Sequence, residues 1–127
     1  MTTLRKTVDQ AAIDAWGELS GDLNPLHVDP AYAAGTRYGG TILHGHLTIA
    51  WLSEWGMREF GADWLRHGAL ADLRFRAPLR PGEEYAIIAA PGPDSPDGDA
   101  ARLSVLLPDG TPAVTTTARL RAAEGTP

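Results

Sequence analysis

One long apolar segment, from about Leu43 to Phe60, constrains the fold more than any other part of the sequence. Its apolar residues recur at helical spacing and form one stripe, made of Leu43, Leu47, Trp51 and Trp55. Further apolar residues occupy most of the remaining helix surface: Ile49, Ala50, Leu52, Met57 and Phe60. A helix that is apolar on nearly all sides is typical of the centre of a domain. The rest of the chain is therefore expected to pack around it.

After Gly68 the apolar residues alternate with polar ones, which is the period of a half-buried strand. Strands are predicted at about 71–77, 83–90, 101–107 and 113–121, with a short one at about 4–8. In the first long strand the buried face is predicted to carry Ala71, Leu73, Phe75 and Ala77. A mostly antiparallel curved sheet wrapped around one long central helix is an α+β architecture. The length of 127 residues fits a single domain over 1–127.

Shorter elements and loops complete this prediction. Asp9 is the predicted N-cap of a helix to about Leu19, with a buried face formed by Ala12, Ile13, Trp16 and Leu19. Asp29 is predicted to cap a short helical turn at 30–34. The Pro/Asp/Gly-rich loop at 91–99 is expected to be mobile, and the tail at about 122–127 is expected to fray.

The composition predicts a thin core. Only 26 of the 127 residues are Leu, Ile, Val or Phe, whereas 20 are Ala. Methyl groups bury little apolar area per residue, so we expect a second subunit to bury more of the surface. The open edge of the predicted sheet favours pairing with a second copy of the chain.

Charge and composition exclude several classes of protein. The net charge is -5 and the 11 basic residues form no run longer than the pair Arg5 and Lys6, which argues against a nucleic-acid or polybasic membrane surface. No stretch approaches the roughly 18 apolar residues that span a bilayer, and the polar N-terminus lacks a signal core. The sequence has no cysteine, which excludes thiolate chemistry and is compatible with a reducing compartment. We therefore expect a cytoplasmic protein.

The segment from Ser20 to Pro30 is the chemically dense part of the chain. Asp22 and His27 flank an Asn-Pro turn, and Pro25 makes the loop rigid, so a carboxylate and an imidazole can converge across it. Such a pair can act as acid and base on a shared water. Ser, Asp and Asn also form turns and helix caps, so the residues alone leave a structural role open.

Three glycines bracket the start of the central helix: Gly39, Gly40 and Gly45. Backbone N–H groups at a helix start have no intrahelical partner, and the helix dipole is positive there. A glycine lets a ligand's carbonyl oxygen approach this backbone, and the helix end can stabilise an enolate-like charge on a thioester. The alternative is that these glycines only form a tight loop.

Together the two segments resemble a known family. The order S-G-D-x-N-P-x-H-x-D followed by G-G-x-I-x-H-G-x-L resembles the MaoC-type hydratase/dehydratase family of hotdog-fold proteins, the (R)-specific enoyl thioester hydratases. The resemblance covers Ser20 to Leu47 closely and extends loosely to Leu120 through the sequence R-F-R-A-P-L-R-P-G-E. It implies a single hotdog domain that is a hydro-lyase, which interconverts a 2-enoyl thioester and a (3R)-3-hydroxyacyl thioester.

The resemblance also implies roles for individual residues. Asp22 and His27 match the catalytic pair that activates a water, and Gly45 matches the glycine whose N–H receives the thioester oxygen. The resemblance implies supporting hydrogen bonds for Ser20 and Asn24. It implies a structural role for His44. The family uses no metal and no organic cofactor. Its acyl group arrives on coenzyme A or an acyl carrier protein, in fatty-acid, polyketide or other secondary metabolism.

Two departures from the family pattern bear on the substrate. His46 stands where many relatives carry Met or Leu, and Tyr38 stands where Phe is common, so we expect a more polar acyl channel. Trp51 is a third candidate for the pocket wall, although aromatic residues at helical spacing often belong to the core. The short chain favours a short or unusual acyl group.

Three other functions are weighed against hydration. A metal site is disfavoured because His44 and His46, if both are helical, point to nearly opposite sides and cannot readily share an ion. A water directed at the carbonyl carbon gives a thioesterase, and related tailoring enzymes act on carrier-bound substrates. A non-catalytic acyl-binding subunit is the third alternative, and it is expected to lack the acid/base pair.

We expect a homodimer, with a heterodimer or a higher assembly as alternatives.

Overall fold

The computed structural model describes residues 1–92 and 99–121. Its elements are, in chain order, β1 (Leu4–Lys6), α1 (Gln10–Ser20), α2 (Pro25–Val28), α3 (Pro30–Ala34), α4 (Gly45–Phe60), α5 (Ala62–His67), β2 (Gly68–Phe75), β3 (Tyr85–Pro91), β4 (Ala100–Leu106) and β5 (Pro112–Leu120). Most of the loop at 91–99 and the whole tail at 122–127, for which mobility and fraying were expected, lie outside the described residues.

All five strands belong to one antiparallel sheet in the order β1-β3-β4-β5-β2. The three late strands follow one another as neighbours, because short connections favour antiparallel hairpin pairing. The strands that flank the helical region, β1 and β2, form the two edges of the sheet. The predicted α+β architecture is therefore confirmed.

The core lies between α4 and the sheet. Leu52 and Trp55 on α4 are fully buried, as are Tyr85 and Ile87 on β3 and Leu103 on β4. The buried indole of Trp55 also donates a hydrogen bond of 2.8 Å to a backbone carbonyl near the N-terminus. The prediction of one long helix packed on the sheet is confirmed, but α4 is buried on one face only, since Met57 on another side is 38% exposed. In the described ranges, no helix combines the length and the apolar character that crossing a bilayer requires.

The structure corrects the predicted face of α1. Ile13 and Gly17 are buried, whereas Leu19 is 80% exposed, so the predicted stripe through Leu19 is wrong. A side chain at Gly17 would meet the carbonyl of Asp22 at 3.1 Å. Because Gly17 has no side chain, the loop after α1 packs against this side of the helix. The buried face of α1 therefore contains Ile13 and Gly17 and not Leu19.

The start of the central helix and the first long strand also differ from prediction. His44 has an extended backbone (φ -61°, ψ 138°), so α4 begins at Gly45 rather than near Leu43. The strand β2 begins at Gly68, directly after α5, a helix that the sequence pattern did not predict. An irregularity between Ala71 and Arg74, with Asp72 at φ 54°, interrupts the alternation. Because of this shift Ala71 is exposed and Phe75 is 49% exposed, and the predicted buried face of this strand is wrong there.

Candidate active site

The loop after α1 is held by a series of side-chain to backbone hydrogen bonds. The helix ends at Gly21, whose φ of 84° turns the chain. The Ser20 hydroxyl accepts a bond from the N–H of Asp22 at 3.2 Å, and Asp22 Oδ1 accepts one from the N–H of Asn24 at 3.2 Å. Asn24 Oδ1 in turn accepts from the N–H of Leu26 at 2.9 Å and caps α2, a helix not predicted from the sequence. The positions of Ser20 and Asn24 fit the supporting roles proposed for them.

His27 lies on α2, and one contact of its ring shows which ring nitrogen carries a proton. Its Nδ1 is 2.9 Å from the carbonyl oxygen of Ile42, which can only accept, so Nδ1 carries the proton. Nε2 then has a free lone pair and is a base. The backbone of α2 is fixed from α1, because Gln10 donates to the His27 carbonyl at 2.7 Å and accepts from Thr41 at 2.6 Å. No pattern in the sequence indicates this role of Gln10, because glutamine is common on helix surfaces.

His44 is fully buried at the N-cap of α4. Its Nε2 donates to the backbone carbonyl of Asp22 at 2.8 Å, and its ring stacks on that of His27 at a centroid distance of 4.1 Å. Nδ1 of His44 has no hydrogen-bond partner among the described residues. Burial, the largest cause, lowers the pKa of His44 below 6.5. Through these contacts His44 ties the loop that carries Asp22 to the start of the central helix, as a structural residue would.

A pH dependence of stability follows from this buried ring. The unfolded chain binds a proton at His44 as the pH falls below 6.5, whereas the folded chain does so only below its lowered pKa. The stabilising contribution of the neutral ring is therefore complete above pH 6.5 and is lost through the window below it. We expect the free energy of unfolding, measured in urea across this window, to fall less steeply in His44→Gln than in the wild type. His67→Gln is the control, and an unchanged slope in His44→Gln would contradict the expectation.

The Asp22 carboxylate is the negative group of the site. The Nε2–H of His46 and, next, the N–H of Asn24 hold the pKa of the Asp22 carboxyl below 3.8. Asp22 is therefore ionised at neutral pH. One ligand atom from each of Asp22, His27 and His44 lies within 4.8 Å of the others. Two hydrogen bonds of about 2.8 Å that meet at one water oxygen span a similar distance, so a water fits between the carboxylate and the imidazole.

Asp22, His27 and His44 are residue types that ligate metal ions, and they lie close enough together to be considered as a metal site. A nitrogen lone pair lies in the plane of its ring, and ligands of one ion must converge on it. The stacked rings of His27 and His44 are inclined by only 28°, so their planes do not meet at the distance of a metal–nitrogen bond. The arrangement suits a base and its structural neighbour better than a pair of ligands.

His46 approaches the same loop from the first turn of α4. Its Nδ1 accepts a hydrogen bond of 2.7 Å from the indole N–H of Trp16, and its Nε2 is 3.1 Å from Asp22 Oδ2. The prediction that His44 and His46 point to nearly opposite sides is wrong, since their ring centroids are 5.2 Å apart. The reason is that His44 precedes the helix with an extended backbone, so helical spacing does not apply to it.

A cavity of about 330 Å³ lies beside His27. Its lining combines His27, Tyr38, Gly45 and Thr48 with apolar residues that include Leu43 and Phe75. Tyr38 lines it as expected, whereas two other pocket candidates do not: His46 contacts Asp22 and Trp16, and Trp51 packs in the core against Tyr85.

Gly45 is the first residue of α4 and lines the cavity together with His27. Its N–H has no partner within the helix, and the helix dipole adds a partial positive charge there. A backbone hydrogen-bond donor and an imidazole therefore border one cavity, which is the geometry for polarising a carbonyl while a proton moves nearby.

Two of the known proteins that this chain resembles are named as a dehydratase and a hydratase. The 3-hydroxybutyryl-CoA dehydratase of Methylorubrum extorquens is 30% identical over 104 residues, which are 80% of this chain and 64% of that protein. The (R)-specific enoyl-CoA hydratase of Aeromonas caviae is 44% identical over 50 residues, which are 39% of this chain and 37% of that protein. The chain thus spans less than two thirds of the length of each relative.

A solved structure supports the same relationship. The (R)-hydratase from A. caviae involved in PHA biosynthesis superposes with a TM-score of 0.73 at 26% identity, and the match covers 94% of this chain and 92% of that one. The family model of the MaoC like domain matches residues 1–91. This range includes Asp22, His27 and Gly45 and all five helices. The chain therefore belongs to the MaoC-like domain family.

Proposed function

We propose that this protein catalyses the reversible addition of water to a 2-enoyl thioester, giving a (3R)-3-hydroxyacyl thioester, or the reverse dehydration. The observation that carries the proposal is the pairing of the ionised Asp22 carboxylate with the His27 imidazole at a separation that one water can bridge. Membership of the MaoC-like family supports it, as do relatives named as an enoyl-CoA hydratase and a 3-hydroxybutyryl-CoA dehydratase.

In the hydration direction the water lies between Asp22 and His27. Asp22 accepts one hydrogen of the water and orients it, and His27 Nε2 takes the other proton as the water oxygen bonds to C3. The C2–C3 π electrons move toward the thioester carbonyl, whose developing charge is stabilised by the N–H of Gly45. The imidazolium of His27 then gives its proton to C2. One O–H bond is broken, C–O and C–H bonds form on the same face, and His27 returns to its neutral state.

We propose a short acyl group as the substrate. The cavity of about 330 Å³ lies at the low end of the roughly 300–1,000 Å³ of small-molecule sites. Tyr38 and Thr48, two residues that carry hydroxyl groups, belong to its lining, which fits a short chain or one with a polar substituent. Both carriers named above, coenzyme A and an acyl carrier protein, present the same thioester to the site.

The test uses the purified protein with a four-carbon 2-enoyl-CoA. Loss of the ultraviolet absorbance of the conjugated enoyl group follows hydration, and a thiol reagent in a parallel sample follows release of free coenzyme A. Hydration predicts loss of absorbance without free thiol. Free thiol in proportion to substrate loss would instead indicate the thioesterase alternative, and binding with neither signal would indicate an acyl-binding subunit.

We also propose that the chain is a homodimer, since the core is poor in branched side chains and a partner would bury more surface. Phe75 is 49% exposed on the edge strand β2 and also lines the cavity. A second copy paired along this edge would cover Phe75 and close one side of the site. Sedimentation velocity is expected to give twice the mass of one chain, with Phe75→Glu shifting the protein to monomer. A wild-type monomer throughout the concentration range would contradict the dimer.

One domain and a cytoplasmic location complete the proposal. Every described strand joins one sheet packed on α4, which supports a single domain. The absence of cysteine from the sequence is compatible with a reducing compartment.

A further inference from the structure

The side chain of His46 connects α1 to the candidate catalytic carboxylate. The indole N–H of Trp16 donates to His46 Nδ1 at 2.7 Å, and the rings lie 5.7 Å apart with a tilt of 31°. On its other side His46 Nε2 is 3.1 Å from Asp22 Oδ2. Nothing in the proposed mechanism requires a histidine at this position, and the sequence suggested only a role in the pocket wall.

The contact with Trp16 fixes the tautomer of His46. An indole nitrogen can only donate, so Nδ1 must present a lone pair. The proton of the neutral ring is therefore on Nε2, which makes His46 a donor to the Asp22 carboxylate. A proton added to Nδ1 would face the indole N–H, so the contact with Trp16 exists only for the neutral ring.

We propose that His46, held by Trp16, is a positioning residue that fixes the Asp22 carboxylate for its role in hydration, an inference that rests on the proposed function. Asp22 lies on a loop and its side chain is 37% exposed. The N–H of Asn24 holds Oδ1, and the N–H of His46 holds Oδ2. With both oxygens held, the carboxylate cannot rotate freely, and its remaining lone pairs stay directed for the water.

The charged and titratable neighbours of His46 are consistent with this role. The structure places Asp22 on one side of the ring and His44 at a centroid distance of 5.2 Å on another. The α1 side is occupied by the uncharged indole of Trp16. The hydrogen bond from His46 is also the largest cause of the lowered pKa of Asp22, so removing it should let that pKa rise toward its usual value.

The experiment compares His46→Leu with His46→Gln. Leu removes both hydrogen bonds, whereas the Gln amide can donate to Asp22 and accept from Trp16. A hydrogen bond to a charged group contributes enough for about a tenfold effect on rate. We therefore expect kcat to fall about tenfold in His46→Leu, with KM within twofold because His46 does not line the cavity, and to recover in His46→Gln. The single variant Trp16→Phe is expected to lower kcat relative to the wild type. When Trp16→Phe is combined with His46→Leu, kcat is expected to equal that of His46→Leu alone.

Two readouts keep this inference separate from the proposed function. An unchanged kcat in His46→Leu, or an increase in KM alone, would overturn the positioning role while leaving hydration intact. If the wild type does not hydrate enoyl thioesters, nuclear magnetic resonance still tests the contact. Nitrogen-15 shifts should show His46 with a proton on Nε2 and none on Nδ1, and the carboxyl carbon of Asp22 should titrate at a higher pH in His46→Leu. The opposite tautomer, or an unchanged Asp22 titration, would overturn the inference.

Discussion

Asp22→Asn is expected to lower kcat for hydration of a short 2-enoyl-CoA by about 1,000-fold, within the range of general acid–base catalysis. The substitution keeps the shape of the side chain but removes the charge that orients the water. It also disturbs two hydrogen bonds, because both carboxylate oxygens accept from N–H groups and an amide has only one oxygen. Initial rates of enoyl absorbance loss measure the effect.

His27→Gln is expected to be similarly inactive, because it removes the Nε2 base. Asp29→Asn is the matched control for the loop: Asp29 caps α3 through the N–H of Tyr32 at 3.1 Å, and Asn caps equally well. The control should retain wild-type activity, and circular dichroism should show all three variants folded. Turnover within twofold of the wild type in either Asp22→Asn or His27→Gln would remove that residue from the mechanism.

Gly45→Pro is expected to lower kcat by about 100-fold to 1,000-fold, the effect of removing one oxyanion donor. Proline has no N–H, and the first position of a helix is where proline is best tolerated. The preceding residue, His44, already has the φ of -61° and ψ of 138° that a following proline requires. The substitution should therefore delete the donor while leaving α4 in place.

Gly45→Ala is the matched control for this prediction. A Cβ at position 45 would lie 3.4 Å from the ring of Phe75, an ordinary contact. The alanine variant keeps the N–H and adds a methyl group to the cavity wall, so its main effect should be on KM. Equal values of kcat in Gly45→Pro and Gly45→Ala would show that the N–H does not stabilise the transition state.

The sequence was sufficient to predict the elements with a strong period. The segment that forms α4 is long and its apolar residues recur at helical spacing, which predicts a helix packed in the core. The edge strand β2 was predicted less well, because the irregularity near Asp72 changes which residues are exposed. A local conformation with positive φ at a non-glycine residue has no periodic signature in the sequence.

Prediction of the candidate site was limited in a different way. The spacing of Asp22 and His27 indicated a pair, because a rigid Asn-Pro turn constrains the short loop between them. The hydrogen bonds of Trp16 and Gln10 join α1 to residues that are 17 to 31 positions away in the sequence. Packing between elements brings these residues together, and a local sequence pattern does not reveal it. The helical spacing of Trp16 predicts a buried stripe, but spacing does not indicate the hydrogen bond that its indole N–H donates to His46.

The measurement that tests the central claim most directly is the position of oxygen-18 after reaction in labelled water. The account requires that the water held by Asp22 and His27 adds to C3 of the acyl chain. Mass spectrometry of the product from a four-carbon 2-enoyl-CoA should find the label in the C3 hydroxyl of an intact thioester. Label in a free carboxylate instead, with C3 unlabelled, would contradict the account.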